Sequence, residues 1–268
     1  MKKSLLFIGG LLLSVGLFSC TSKPASQPDT EEQKQVTEEI ITQLDSLAEE
    51  IGQIAETQEL IRILNPDTVA LSETDRLVKP DFLVTENELS QLQTLSQKYR
   101  ALALLVVDTR VQGLYEPGED TYMSHALQQI STDLNDEAVF QLMSKSKDQL
   151  VSKQDVMNFY DLMKKSNRVD YFYQTNVSFA IELVYVLSKK FEIFEPYITD
   201  ATAQSYSRHI ALSVSGVEKL AETKPEMSSI LEAIKPLKQI NAETADQFKQ
   251  QIIASSTGIS AMRKSILE

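Results

Sequence analysis

The sequence predicts an all-α protein, an antiparallel helical bundle of about seven to nine helices, and three observations predict it. Helix breakers are scarce, with eight Gly and eight Pro in 268 residues, and Gly9, Gly10 and Gly16 all fall near the N-terminus. No stretch alternates apolar and polar residues for long enough to make a half-buried strand, whereas apolar residues recur at spacings of three and four. The punctuation between the periodic segments is of the helix-start kind, Ser, Thr or Asn followed by acids within a turn. A hydrophobic share of 42% supplies a core for such a bundle. An irregular α-solenoid is the alternative architecture, but no fixed-period repeat emerges.

The chain opens with Met1-Lys2-Lys3 and then an apolar run from Leu5 to Phe18. Fourteen helical residues rise about 21 Å, short of the ~30 Å hydrocarbon core, so the run reads as the h-region of an export signal and not as a permanent span. It ends in Leu17-Phe18-Ser19-Cys20, and this tetrapeptide resembles the lipobox of bacterial lipoproteins. The resemblance covers these twenty residues alone. It implies a signal peptide over 1–19, cleavage before Cys20, a diacylglyceryl group on the Cys20 thiol, and attachment to the membrane through that lipid. Thr21 stands where an Asp would favour inner-membrane retention, so the resemblance points to the outer membrane and leaves the choice between periplasmic and surface face open. Residues 20–29 are the lipidated Cys and a flexible tether, with Pro24 and Pro28 and no large apolar side chain; stretched, the tether spans at most ~30 Å.

The helical domain is expected over 30–268. Thr30 with Glu31 and Glu32 starts a helix that continues to Leu64, where Asn65-Pro66 stops it. Its stripe runs Ile40, Leu44, Leu47, Ile51, Ile54 and Ile61, with Gln58 in the missing place and Ile41, Ala48 and Ala55 widening it towards bundle packing. Residues 65–84 form a connector. The capping box Thr85-Glu88 opens a second long helix to Tyr115, in which Ala101 to Val107 (ALALLVV) has no polar face and belongs at the bundle centre. Further helices are expected over 119–132, 135–149, 153–194 with a break near Ser166-Asn167, 200–223, 225–238 and 241–266. Their starts are marked by Asn135, Ser152, Thr199, the box Thr223-Glu226 with Pro225 in its first turn, and Asn241. A domain of this length is long for one core, which raises a subdivision near residue 150.

Charge is unevenly spread. The net charge is −12, and becomes −14 once Lys2 and Lys3 leave with the signal. Asp29 to Glu59 holds ten acids against one Lys, while 141–190 holds eight Lys and Arg against five acids. The overall balance repels nucleic acid, whose binding rests on cations neutralising phosphates. The acidic helix reads as a solvated face near the anchor, or as a docking face for a basic partner in the envelope or for the chain's own basic middle.

Chemistry is thinly represented. There is one Cys, there are two His and there is no Trp, and no nucleophile elbow, phosphate loop, dinucleotide fingerprint or calcium loop is present. His125 and His209 have Tyr122 and Tyr206, not Glu, three residues upstream, so neither belongs to a di-iron pattern; no metal and no cofactor is expected. The densest aromatic stretch is Tyr171 to Tyr197, where Glu182 interrupts VSFAIELVYVL. Thr175, Ser178, Glu182, Tyr185 and Lys189 fall on one helical stripe that faces water or another helix's polar groups; Phe179, Glu182, Tyr185 and Lys189 are the ligand-lining candidates. No catalytic residue is assigned. The favoured function is a lipid-anchored binding or interaction module of the cell envelope with no catalysis of its own. Two alternatives are a helical pocket for a hydrophobic or peptide-like ligand, and a carboxylate-dependent envelope enzyme, which would need two acids converging in one cleft.

Overall fold

Helix α1, Thr30–Glu56, buries Ile40, Leu44, Ala48, Ile51 and Ile54, the stripe that their spacing demands. The computed structural model describes residues 30–117, 122–137, 139–140 and 151–268. The leader, Cys20 and the tether lie outside the described residues, as does most of the helix expected over 135–149. Among the described residues the remaining helices are α2 (Glu73–Leu77), α3 (Glu86–Ser90), α4 (Leu95–Tyr115), α5 (Tyr122–Leu134), α6 (Lys153–Lys165), α7 (Val169–Phe194), α8 (Asp200–Ala221), α9 (Met227–Ile234) and α10 (Ala245–Leu267). Short 3-10 turns cover Glu59–Leu64, Glu195–Tyr197 and Lys235–Gln239, and no strand occurs among the described residues. The protein is all-α, and its architecture is a helical bundle.

Helix α7 is the hub. It packs on α4, α10, α8 and α6, while α1 packs on α6 and α8, and α5 lies on α4. Residue pairs give the directions. Asn176 and Phe179 meet His209 while Tyr173 meets Gly216, so α7 and α8 are antiparallel. Glu182 meets Arg263 and Lys189 meets Ser260, so α7 and α10 are antiparallel as well. By contrast Tyr99 stacks on Tyr171 and Asp108 neighbours Glu182, which makes α4 and α7 parallel. The buried apolar residues form one cluster from Ile40 to Leu267, and ALALLVV sits inside it, with only Val106 of those seven not fully buried.

Several boundaries differ from expectation, each for a local reason. The first helix does not reach Leu64. Gln58 takes a left-handed conformation (φ 61°), its side-chain amide donates to the carbonyls of Ala55 (2.9 Å) and Val151 (3.0 Å), and the chain continues as a 3-10 turn. The helix expected over 85–115 is interrupted, because Thr94 and Gln97 form a second capping box directly after α3. Asn135 ends α5 with φ 45°, and helical residues resume at Glu137, where the Phe140 N–H bonds back to the Asp136 carbonyl at 3.0 Å. Thr223 bonds back to the Leu220 carbonyl (3.4 Å), so α9 starts at Met227 without a side-chain cap. The last helix is capped by Thr244, three residues beyond Asn241. The break in 153–194 falls at Ser166–Arg168, with Asn167 left-handed (φ 57°).

The acids of α1 are matched from within the chain. Asp45 accepts from Tyr160 (2.7 Å) and Lys164 (2.6 Å), Glu49 pairs with Lys153, and Glu50 accepts from Arg208 at 2.8 Å. The acidic helix thus lies along the chain's own basic middle, through half-exposed pairs worth about 0–1 kcal/mol each. No helix among the described residues is long and apolar enough to cross a membrane.

Candidate functional site

Two features lie along α7: an ionic cluster towards α10 and an apolar cavity towards α1, α6 and α8. Glu182 belongs to the first and is fully buried. Arg263 Nε lies 3.1 and 3.0 Å from the two Glu182 oxygens, its Nη1 bonds Glu88 at 3.0 Å, and its guanidinium lies over the Tyr185 ring at 4.6 Å. Asp108, also fully buried, accepts the Val84 N–H at 2.7 Å through Oδ2, while Oδ1 receives no other donor. The Asp108 and Glu182 carboxyls are close neighbours, and two such groups side by side disfavour being charged together. Burial pushes the Asp108 carboxyl up to about 6. Burial and then the neighbouring Asp108 raise Glu182, against the opposing pull of Arg263. For Arg263 burial acts downward, but the surrounding carboxylates outweigh it and hold the guanidinium charged. Two acids do converge here, held by Arg263 and a backbone amide, so the cluster ties α3, α4, α7 and α10 together while leaving Asp108 Oδ1 and Arg263 Nη2 without a partner among the described residues.

The cavity has a volume of about 150 Å³ and lies where α1, the Glu59–Leu64 turn, α4, α6, α7 and α8 approach one another. Phe159, Phe172 and Phe179 give it aromatic walls. One polar patch breaks them. Asn176 Nδ2 donates to the Phe172 carbonyl at 2.9 Å, leaving its Oδ1 to accept from His209 Nε2 at 3.3 Å, which sets the His209 tautomer. The Phe179 ring meets His209 edge-on at 5.9 Å, and burial lowers the imidazole pKa to about 4, so His209 is neutral at ordinary pH. Thr175 and Arg110 complete the polar lining. A second cleft of about 360 Å³ beside α4 is lined by both signs of charge, including the paired Lys79 and Glu116.

The four ligand-lining candidates therefore separate. Phe179 lines the cavity; Glu182 and Tyr185 belong to the Arg263 cluster; Lys189 lies on the surface, 5.0 Å over the Tyr185 ring and 3.3 Å from Ser260. Elsewhere on α8, Tyr206 bonds the Leu60 carbonyl (2.9 Å) and Arg208 reaches Glu50, while His209 meets the cavity. Sequence reasoning missed Asp108 and Arg263. Each is a charged residue inside a stripe of buried apolar neighbours, Leu104, Leu105 and Val111 for the first and Ile259, Met262 and Ile266 for the second, the same signal that singled out Glu182. Among the described residues no group of three or more His, Cys, Asp or Glu is placed to hold a metal ion.

Fold and cavity together define an all-α bundle with a preformed apolar pocket. Comparisons with protein-family models, with curated proteins and with solved structures return no match.

Proposed function

We propose that this chain is a lipid-anchored binding module of the bacterial cell envelope, without catalysis of its own, and that its ligand is an apolar molecule held in the cavity beside Phe179. The cavity carries this reading: a concave apolar site with a few convergent polar groups is the form that small-molecule sites take. The envelope placement is supported by the lipobox-like Leu17-Phe18-Ser19-Cys20, since two or three acyl chains at ~0.8 kcal/mol per buried methylene hold a protein on a bilayer. Thr21 favours the outer membrane. A protein partner docked on the acidic helix has less support, because Asp45, Glu49 and Glu50 are engaged by Lys164, Lys153 and Arg208. A carboxylate enzyme has less still, since Asp108 and Glu182 face Arg263 and not the cavity.

The test uses the chain from residue 20 with Cys20→Ser; among the described residues the core runs from Ile40 to Leu267, all of it retained. Benzene, which matches an apolar space of this size, should bind with one-to-one stoichiometry in a calorimetric titration. Ala103→Phe, which fills the cavity from α4, should weaken it at least about tenfold with helix content unchanged. Equal binding by the variant would place the probe elsewhere and overturn the reading. Mass spectrometry of the native amino terminus tests the anchor, and an unmodified Cys20 would remove it.

A further inference from the structure

The wall of the cavity is nearly free of charge. Among the described residues Arg110, towards the C-terminal end of α4, is its one charged lining group, and no Asp, Glu or Lys of those residues lines it. His209 is uncharged there, and Asn176 has its amide committed to the Phe172 carbonyl. Burial works against the charged form of Arg110, so its guanidinium is partly stripped of water, and an anion arriving beside it gains more than at an exposed arginine. Arg110 already has an interaction within the fold, and a guanidinium carries five N–H donors, enough to share. The rest of the wall, with Phe159, Phe172 and Phe179, selects for hydrocarbon, and ~150 Å³ of apolar space accommodates a group of about six carbons.

From this asymmetry we infer that the ligand is a small amphiphilic carboxylate, with a chain of about six to eight carbons among the phenylalanines and its carboxylate on Arg110. The inference rests on the cavity being a binding site. Three eight-carbon probes separate the two claims by titration calorimetry on the Cys20→Ser chain: octanoate, octan-1-ol and octylammonium. All three have eight carbons, and because octanoate uses one of them in its carboxylate its tail is a methylene shorter, so any gain over octanol comes from the charge presented to Arg110. Octanoate should bind at least about tenfold more tightly than octanol, because a charge-assisted hydrogen bond is about twice as strong as a neutral one, and octylammonium should be the weakest. Arg110→Gln should bring octanoate to the level of octanol, and Arg110→Lys should restore part of the difference.

Equal binding of octanoate and octanol by the unsubstituted residue-20 chain would overturn the carboxylate inference and leave the apolar site standing. A preference for octylammonium would overturn it too. Failure of all three probes would overturn the site itself. The comparison among probes needs no change at Arg110, so it holds even where Arg110→Gln fails to fold.

Discussion

His209 shows how one buried side chain sets a pH dependence. It is almost fully enclosed, and burial lowers its pKa from the ordinary 6.5 to about 4. The unfolded chain takes up this proton as the pH drops below about 6.5, the folded chain only near 4. Between those values the unfolded state binds more protons, so this group's contribution to stability is present at pH 7 and lost as the pH falls. A separation of this size corresponds to about 3 kcal/mol. Asp108 and Glu182 act with the opposite sign: burial raises Asp108 to about 6 and raises Glu182 as well, so their contribution is greatest in acid and declines as the pH rises. That effect is common to both proteins when the native residue is compared with His209→Gln, and it cancels. Urea denaturation at pH 7 and pH 4 should show the native chain losing about 3 kcal/mol more than the variant; equal losses would mean that His209 takes up its proton in the folded state. At this scale the sequence exposed Glu182 as an anomaly because an acid among VSFAIELVYVL is conspicuous. Its partner was not legible, because Arg263 is 81 positions away and only the antiparallel packing of α10 on α7 brings them together.

The elements themselves were largely legible, since caps and apolar spacing are local properties. Ser152 and Thr199 cap α6 and α8 as expected, whereas the unexpected break at Gln58 depends on a bond to the Val151 carbonyl, 93 positions away. Close approach of helices is likewise written in single residues that carry no local signal. Gly216 of α8 lies under the Tyr173 ring of α7, and a Cβ there would come within 2.0 Å of it. The Tyr173 hydroxyl in turn donates to the Leu44 carbonyl, so the ring cannot swing away without releasing α1. Gly113 of α4 has open space where its Cβ would be. Replacing glycine by alanine inside a helix is worth roughly 0.5–1 kcal/mol in the absence of a clash, and overpacking costs about 1–3 kcal/mol. Gly113→Ala should therefore raise the melting temperature by about 1–4 °C, and Gly216→Ala should lower it. Thermal denaturation followed by circular dichroism measures both, and a stabilising Gly216→Ala would show that α7 and α8 are further apart than described.

At the scale of the whole molecule the connections decide how the chain unfolds. A length near 240 residues allows two cores, and the basic segment after residue 140 invites a boundary near 150. The packing runs across that point. Helix α4 lies chiefly on α7, and α1 lies on α6 and α8, so the helices before residue 150 bury their apolar faces on those after it. The Arg263 cluster spans the same divide, joining Glu88 and Asp108 to Glu182 and Arg263. Such an arrangement could not be read from spacing, because helical periodicity says which face of each helix is apolar and nothing about which helix covers it. The parallel pairing of α4 with α7 is set by the long excursion through α5 and α6, not by a short loop. Its consequence is a single cooperative transition. Separating residues 30–140 from 151–268 would uncover Ile51, Leu60 and Leu102 on one side and Phe159 and Phe172 on the other, all buried and all lining the space between the two halves, and at roughly 1.5–3 kcal/mol each the loss is comparable to a typical domain's total stability of about 5–15 kcal/mol. Scanning calorimetry of the Cys20→Ser chain should give one peak whose calorimetric and van't Hoff enthalpies agree. Two resolved peaks, or a fragment 151–268 that melts cooperatively alone, would show instead that the shared core is not what holds the two halves folded.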